Sequence, residues 1–424
     1  MDVYARPARL PNEPSSGLQA RSWPSFDDFS SHPGHGLEPR TVTSIFRAAE
    51  MGLLFRQVDL FDDVIESDGH LRSLIENRRD AVAGKERSIQ AGAQDTASLL
   101  AADMLGRQVR DSLNFQHFIQ HQLSAPYYGY AASEIEWELG ADGWLPRWFH
   151  NIPHRRFVLG SSNELRLLNE GKLSQGDQLQ AGKWVVSTRQ HHNLARAGLL
   201  RTATWWALFK RMSVRDWVIF AERFGVPFAI GMYEERAGEE SRKALEEALA
   251  QLGNAGQVVI SDATKIVFSD VAQRGGDTSA VHPALIAVCE AQMSKLINGA
   301  TQNVEQGQAG SYAQAKVHEA RALELERADA ENLELVFREH VGVPFLLYNG
   351  FPPGTAAPQL HMQVVREWDP GRRLEQASRF ANELGGVVDD SQLRAELGFR
   401  RPGRVEDELR GTKAASTKVS PEES

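Results

Sequence analysis

An acidic cluster between positions 59 and 68 is the first set of side chains whose spacing could do chemistry, because converging carboxylates bind divalent metals. Its members are Asp59, Asp62, Asp63, Glu66 and Asp68. The first four share a helical face opposite Leu60, Phe61 and Val64. That arrangement is typical of a solvated helix face, so we expect no metal site there.

Histidines and a single cysteine are the other side chains that could ligate a metal or attack a substrate. His150 and His154 have the spacing of metal ligands on a helix, but Pro153 interrupts any helix there. Cys289 lies in an apolar run, which predicts a buried, inert thiol. The remaining histidine candidates lie in linker or loop sequence: His32, His35, His191 and His192. We therefore predict no catalytic residue, no metal and no cofactor.

A polar glycine-containing segment, NGATQNVEQGQAGS over residues 298–311, resembles a phosphate-binding loop in composition only. It lacks the lysine of the G-x-x-x-x-G-K-[ST] pattern, and no strand precedes it. Helices are predicted on both sides, from Pro283 and from Tyr312 to Arg338. The segment is therefore interpreted as a loop between two helices and not as a nucleotide site.

Composition restricts the class of protein. The chain has 424 residues, a formal net charge of −9, 42% apolar residues and 24% charged residues. These values are normal for a folded multidomain protein and argue against an overall basic nucleic-acid binder. One cysteine excludes an internal disulfide framework. The sequence contains neither a signal-peptide pattern nor a long apolar run, so we expect a cytoplasmic compartment and no membrane partner.

The first half of the chain predicts helices followed by short strands. Residues 41–123 carry helical periodicity, with Thr41 or Thr43 as a cap and Gly84 as a stop. From Tyr127 the pattern alternates, which predicts a half-exposed strand over YYGYAASEIEWEL and a hairpin turn at Asp142-Gly143. Further strands are predicted in RRFVLG, ELRLLN and KWVVSTR.

A long helix from Arg201 to about Gly225 organises the second half. Its aromatic stripe comprises Trp206, Phe209, Ser213, Trp217, Phe220 and Phe224. The basic residues Lys210, Arg211, Arg215 and Arg223 are expected largely off this stripe. The pattern fits either a buried core helix or a strut in a larger assembly. A small strand–helix–strand–strand module follows, with Ser241 as the expected cap of its helix.

Three segments of the chain are distinctive: GLLRTATWWALFKRMSVRDWVIFAERFGVPFAIGMYE, AGSYAQAKVHEARALELERADAENLE and VPFLLYNGF. They resemble segments of phage portal proteins, in particular those of Mu-like transposable phages, and the resemblance covers roughly residues 40–405. It implies a mainly helical α+β portal fold with wing, stem, clip and crown regions. The implied divisions are an arm (1–40), wing (41–200), first stem helix (201–225), clip (226–282), second stem helix (283–302), tunnel loop (303–311), long helix (312–340), C-terminal wing or crown region (341–405) and disordered tail (406–424).

The resemblance also implies a function. Portal proteins form a ring, commonly of about twelve subunits, at one capsid vertex, and double-stranded DNA passes through it during packaging and ejection. Implied partners are the terminase large subunit, major capsid and scaffold proteins, and head-completion or tail adaptor proteins. The implied location is the virion, after assembly in the bacterial host cytoplasm. No enzymatic activity is expected.

Candidate channel residues follow from the tunnel-loop assignment. They are Asn303, Glu305, Gln306, Gln308 and Ser311. Neutral and acidic groups suit passage of DNA, because each lysine or arginine on a phosphate adds salt-dependent affinity. The basic stem residues Lys210, Arg211, Arg215 and Arg223 face either DNA or a neighbouring subunit in this interpretation.

Two other classes stay open at this point. One is another head-morphogenesis structural protein, against which the helix–clip–helix order argues. The other is a DNA-processing enzyme, which would need converging carboxylates. The pairs Asp62-Asp63 and Asp389-Asp390 fit surface and helix-cap roles better.

Overall fold

The structure is a computed structural model of the 424-residue chain. It describes residues 12–15, 17–21, 37–109, 113–168, 175–189, 192–224, 229–233, 238–251, 257–261, 281–300, 312–364 and 378–379. Two compact units divide the chain, Met1–Val364 and Val365–Ser424. The architecture below is that of the first unit. None of its described helices is long and apolar enough to cross a membrane.

The first unit begins with the predicted helical region. Its helices are α1 (Pro39–Glu50), α2 (Phe55–Ser67), α3 (Gly69–Ala83), α4 (Thr96–Val109), α5 (Leu113–Gln122) and α6 (Ala125–Tyr128). Asp68 caps α3 by accepting a 3.0 Å hydrogen bond from the Leu71 backbone N–H, and Gly84 ends that helix as predicted. The cap predicted at Thr41 or Thr43 is wrong, because α1 already begins at Pro39.

The antiparallel strands form three small sheets. The described strands of this part are β1 (Arg87–Gln90), β2 (Tyr130–Gly140), β3 (Gly143–Ile152), β4 (Phe157–Leu159), β5 (Leu165–Leu167), β6 (Asp177–Gln178), β7 (Trp184–Thr188) and β10 (Gln359–Met362). Their orders are β3-β2-β7, β4-β5-β6 and β1-β10. The β2–β3 hairpin closes with Gly140 opposite Gly143, so the predicted turn is present.

The expected half-exposure of β2 is wrong for its first half. Residues Tyr130–Ile135 are buried on both faces, and Glu134 is fully buried despite its charge. One face packs toward α5 and the other toward the β4-β5-β6 sheet. The alternating sequence therefore belongs to a strand that is covered on both sides, and specific hydrogen-bond partners compensate the burial of the Glu134 carboxylate.

The middle of the unit contains α7 (Leu200–Phe224), β8 (Ala229–Tyr233), α8 (Gly238–Gln251), β9 (Gln257–Ser261) and α9 (Val281–Asn298). Strands β8 and β9 are parallel, and α8 is the crossover helix between them. Ser241 is not the cap of α8, because the helix starts three residues earlier at Gly238. The last strand of the predicted strand–helix–strand–strand module, expected over KIVFSDV (265–271), lies outside the described residues.

Helix α10 (Tyr312–Phe337) does not end at Arg338 as expected. It continues through a π-helical turn, Arg338–Gly342, into α11 (Val343–Tyr348). Pro344 cannot donate a backbone hydrogen bond and its ring crowds the preceding turn, so a wider turn accommodates it. Buried Phe337, Val341 and Phe345 continue one apolar face through the junction.

Candidate functional site: the paired helices α7 and α9

Helices α7 and α9 pack side by side in antiparallel directions. Their N-terminal and C-terminal ends, respectively, enter the core, where Leu200, Ala203 and Leu208 of α7 meet Met293 and Ile297 of α9. Toward the other end, the ring of Phe220 lies 6.3 Å from that of His282. The sequence-predicted long helix is therefore a core helix in its first half only.

Lys210 lies on the packed side of α7, contrary to the expectation that it falls off the stripe. Its Nζ atom is 2.8 Å from Oε1 of Glu290 and 3.0 Å from Oδ1 of Asp68. Burial lowers the pKa of Lys210, but the hydrogen bonds that its ammonium group donates to these two carboxylates more than compensate and leave the pKa raised. The spacing to Trp206, Ser213 and Trp217 could have revealed this position.

The other predicted basic residues of α7 differ from Lys210. Arg211 Nη1 lies 3.7 Å from Oδ2 of Asp63, and Arg215 forms a local pair with Asp216 at 3.0 Å. Both arginine side chains are more than half exposed. Arg223 lies in α7, but its side chain is outside the described part of the structure.

Several large apolar side chains are exposed along the outer parts of both helices. Trp217 is 41% exposed, Val218 52% and Leu285 43%. The other large members of this α7–α9 apolar surface are Phe209, Val214, Ile219, Val281 and Val288. From Val281 to Cys289, α9 carries no acidic or basic residue besides His282. Exposed apolar side chains mark sites of protein association where they form a contiguous patch.

The predicted tunnel loop connects α9 to α10. Its residues Asn303, Glu305, Gln306, Gln308 and Ser311 all lie outside the described residues. What the structure gives are the two ends, Asn298 of α9 and Tyr312 of α10. The channel assignment therefore stays a prediction.

The acidic face of α2 is exposed as expected at Glu66, but Asp59, Asp62 and Asp63 are half-buried. Asp59 pairs with Arg155 at 3.4 Å, and the Tyr128 hydroxyl donates to Asp62. Burial raises the pKa of Asp62, although the Tyr128 hydrogen bond opposes that shift. These carboxylates are half-buried because they join α2 to neighbouring elements.

A half-buried histidine pair is a feature that the sequence analysis missed. The His154 ring stacks on Tyr128 with 3.9 Å between centroids, lies 5.1 Å from the His121 ring and hydrogen-bonds to Ser124 Oγ at 2.8 Å. Burial lowers the pKa of His121 to about 4 and that of His154 well below its usual range. Tyr130 donates to the His154 carbonyl at 2.7 Å. Ring stacking and hydrogen bonds thus make the pair a structural element.

Metal-ligand candidates do not converge in the described ranges. No group of three or more His, Cys, Asp or Glu side chains there could hold a metal ion. His150 instead lies 2.8 Å from Glu136, and Cys289 is fully buried, which raises the pKa of its thiol. His32, His35 and His191 lie outside the described residues.

Comparison with known proteins gives the class of this chain. The model of the family described as portal protein of Mu bacteriophage matches residues 58–399, so the chain belongs to that family. Its α+β, mainly helical fold agrees with the expectation.

Two relatives make the similarity more specific. The chain is 29% identical over 418 residues to the Mu-like prophage FluMu protein gp29 of Haemophilus influenzae, covering 95% of this chain and 76% of that protein. It is 30% identical over 331 residues to the portal protein of Escherichia phage Mu, covering 75% of this chain and 62% of that protein. The latter match thus spans less than two thirds of the phage Mu protein.

Solved structures are similar at lower identity. A chain in the neck of an empty GTA particle gives a TM-score of 0.48 at 15% identity, covering 86% of this chain and 95% of that one. An HK97 family phage portal protein from Corynebacterium diphtheriae gives 0.38 at 9% identity, covering 77% and 96%.

Proposed function

We propose that the protein forms a closed ring at the portal vertex of a phage capsid, through which double-stranded DNA passes during packaging and ejection. Membership of the portal family supports this function. The observation that carries the ring is the α7–α9 apolar surface, which a single chain leaves open to solvent. A ring of about twelve copies would give every such surface a neighbour.

The regions of the ring follow from the order of its elements. In this proposal α7 and α9 are the stem, residues 226–282 are the clip, and residues 303–311 are the tunnel loop. Residues 41–200 form the wing, 312–340 are a long helix of the wing or crown, and 341–405 are the C-terminal wing or crown region. Parallel pairing of β8 and β9 around α8 supports a separate small module for the clip.

The electrostatics favour contact between subunits over contact with DNA for part of the stem. Lys210 has two carboxylate partners within its own chain, so it is poorly placed to bind a phosphate. Arg211 and Arg215 are more exposed and remain candidates for pairing with a neighbouring copy. The acidic net charge and the neutral loop Asn303, Gln306, Gln308 suit weak, sliding contact with DNA.

The proposed partners are those that such a vertex requires. They are terminase at the clip, major capsid and scaffold proteins around the wing, and head-completion or tail adaptor proteins after packaging. The protein acts in the virion after assembly in the host cytoplasm. It works as a structural channel and docking platform and carries out no catalysis.

A packaging assay tests this function. Deleting residues 304–310 is expected to leave the assembled mass unchanged while reducing packaged DNA, because the loop acts only on the DNA inside a completed ring. Replacing the same residues by a glycine–serine linker of equal length is the matched control for loop length. Normal packaging by the deletion variant would count against the tunnel-loop assignment, and failure of the intact protein to support packaging would count against the portal function.

A further inference from the structure

A short N-terminal segment is bound by three buried charged side chains. The segment, here called the strap, comprises the described residues Ser15 and Gly17–Arg21. Its receptor side chains are Glu134 of β2, Arg156 just before β4 and Lys183 just before β7, which are 0%, 3% and 4% exposed. The sequence predicted a free arm over residues 1–40, and this part of it is docked instead.

The contacts are made mainly to the backbone of the strap. Glu134 accepts the backbone N–H groups of Gln19 and Ala20 at 2.5 and 2.9 Å. Arg156 Nη1 donates to the Ala20 carbonyl at 2.9 Å. Lys183 Nζ donates to the carbonyls of Ser15, at 3.2 Å, and Gly17.

One strap side chain adds specificity. The Gln19 amide oxygen accepts a 2.8 Å hydrogen bond from the Trp184 indole N–H, and its amide nitrogen donates to the Gln178 carbonyl at 2.8 Å. Gly17 has a φ of 73°, a left-handed backbone conformation that glycine adopts without strain. The segment is thus held as a bound peptide ligand would be.

The three buried charges make the pocket that they form around the strap unfavourable in free energy when it is empty. Glu134 and Lys183 lie 3.5 Å apart, too far for a strong direct hydrogen bond, so their bonding capacity is directed at the strap. Removing the strap would leave buried polar groups short of partners. The pocket also bridges the β3-β2-β7 and β4-β5-β6 sheets, since Glu134, Lys183 and Arg156 come from both sides.

We propose that this pocket is a peptide-binding site whose ligand is the protein's own residues 15–21, held non-covalently as a detachable strap. The contacts above are all made by described residues of the strap, and residues 22–36, which follow it along the chain, lie outside the described residues. The same segment supplied as a separate molecule therefore occupies the pocket. Occupancy locks the two sheets together.

A peptide-binding experiment tests this site. A variant lacking residues 2–21 is titrated with a fluorescein-labelled peptide of residues 12–21, and anisotropy and thermal melting are recorded. Saturable binding that raises the melting temperature is expected. The matched control peptide carries Ala20→Pro, which removes one N–H that Glu134 accepts, and should bind at least about tenfold more weakly. Glu134→Gln in the receptor should weaken the wild-type peptide similarly.

A second experiment keeps the full chain and is used if the truncated variant does not fold. A protease site is inserted among residues 22–36 of the full chain, which is then cut and passed through gel filtration. The strap fragment should co-elute with the body and be displaced by excess peptide, but not by the Ala20→Pro peptide. Immediate loss of the fragment, or equal binding of both peptides, would overturn the proposal.

Discussion

Nζ of Lys210 and Oε1 of Glu290 lie 2.8 Å apart, and this ion pair fastens α7 to α9 where both helices leave the core. Asp68 completes the contact from the cap of α3. Lys210→Met should destabilise the chain by about 2 kcal/mol, because two largely buried carboxylates lose their cation. Arg215→Met, which removes an exposed local pair, should change stability by less than about 0.5 kcal/mol.

Urea denaturation at one protein concentration measures both variants. Equal effects of the two substitutions would contradict a fastening role for Lys210.

The half-buried histidine pair predicts a specific acid sensitivity. The pKa of His121 is lowered from its ordinary value of 6.5 to about 4, so protons bind more tightly to the unfolded chain. The contribution of neutral His121 to the free energy of unfolding is full above pH 6.5. It is lost as the pH falls toward 4, by about 3 kcal/mol in total. His121→Gln keeps a donor for the Ala132 carbonyl, which His121 contacts at 3.1 Å, but takes up no proton.

Melting temperatures of the wild type and His121→Gln between pH 7 and pH 4 measure this contribution. The melting temperature of the variant should fall less across that interval, because glutamine takes up no proton. Carboxylates titrate equally in both proteins, so their effect cancels in the difference between the two melting temperatures. Parallel curves of melting temperature against pH would show that protonation of His121 does not contribute to acid destabilisation.

Two glycines with positive φ give a matched test of the β2–β3 turn. Gly143 has a φ of 103° and its missing Cβ would overlap the Asn349 amide, which bonds both the N–H and the carbonyl of Trp144. Gly354 has a φ of 95° and faces open space. Gly143→Ala should cost about 3 kcal/mol and Gly354→Ala about 1 kcal/mol, because only the former adds a clash to backbone strain.

Chemical denaturation of both alanine variants provides the comparison. A similar loss of unfolding free energy at the two positions would mean that the hydrogen bonds of Asn349 do not stabilise the turn.

The α7–α9 apolar surface predicts the effect of a charge on assembly. Leu285→Asp should prevent ring formation while leaving helical content unchanged, because a carboxylate would be buried against a neighbouring copy. Met51→Asp places the same charge on a side chain that is 85% exposed and far along the chain from this surface, and it should assemble normally. Light scattering and circular dichroism distinguish the outcomes; rings of normal mass from Leu285→Asp would exclude this surface as the interface.

Local patterns predicted much of the architecture. Apolar spacing and glycine stops located α3 and α7, and the Asp142-Gly143 turn located the β2–β3 hairpin. Family resemblance, and not periodicity, indicated the portal class, and the family match confirms it.

The remaining features depend on partners distant in sequence. Glu134 lies 115 positions from Gln19, and Lys210 lies 142 positions from Asp68, so neither contact leaves a local signal. A charged residue within an apolar stretch of sequence is predicted to be exposed, because its burial requires a partner that the local sequence does not show. The π-helical turn before Pro344 is different, because the proline itself was a visible local cause.

The arrangement of copies in the assembled protein tests the central claim most directly. Class averages and a reconstruction from electron microscopy of purified assemblies, produced with and without scaffold protein, would give it. The account predicts a closed ring of about twelve 47.1 kDa chains with an open axial channel, α7 and α9 of adjacent copies in contact, and residues 303–311 nearest the axis. An assembly without a central channel, or a ring with the α7–α9 apolar surface facing solvent, would contradict it.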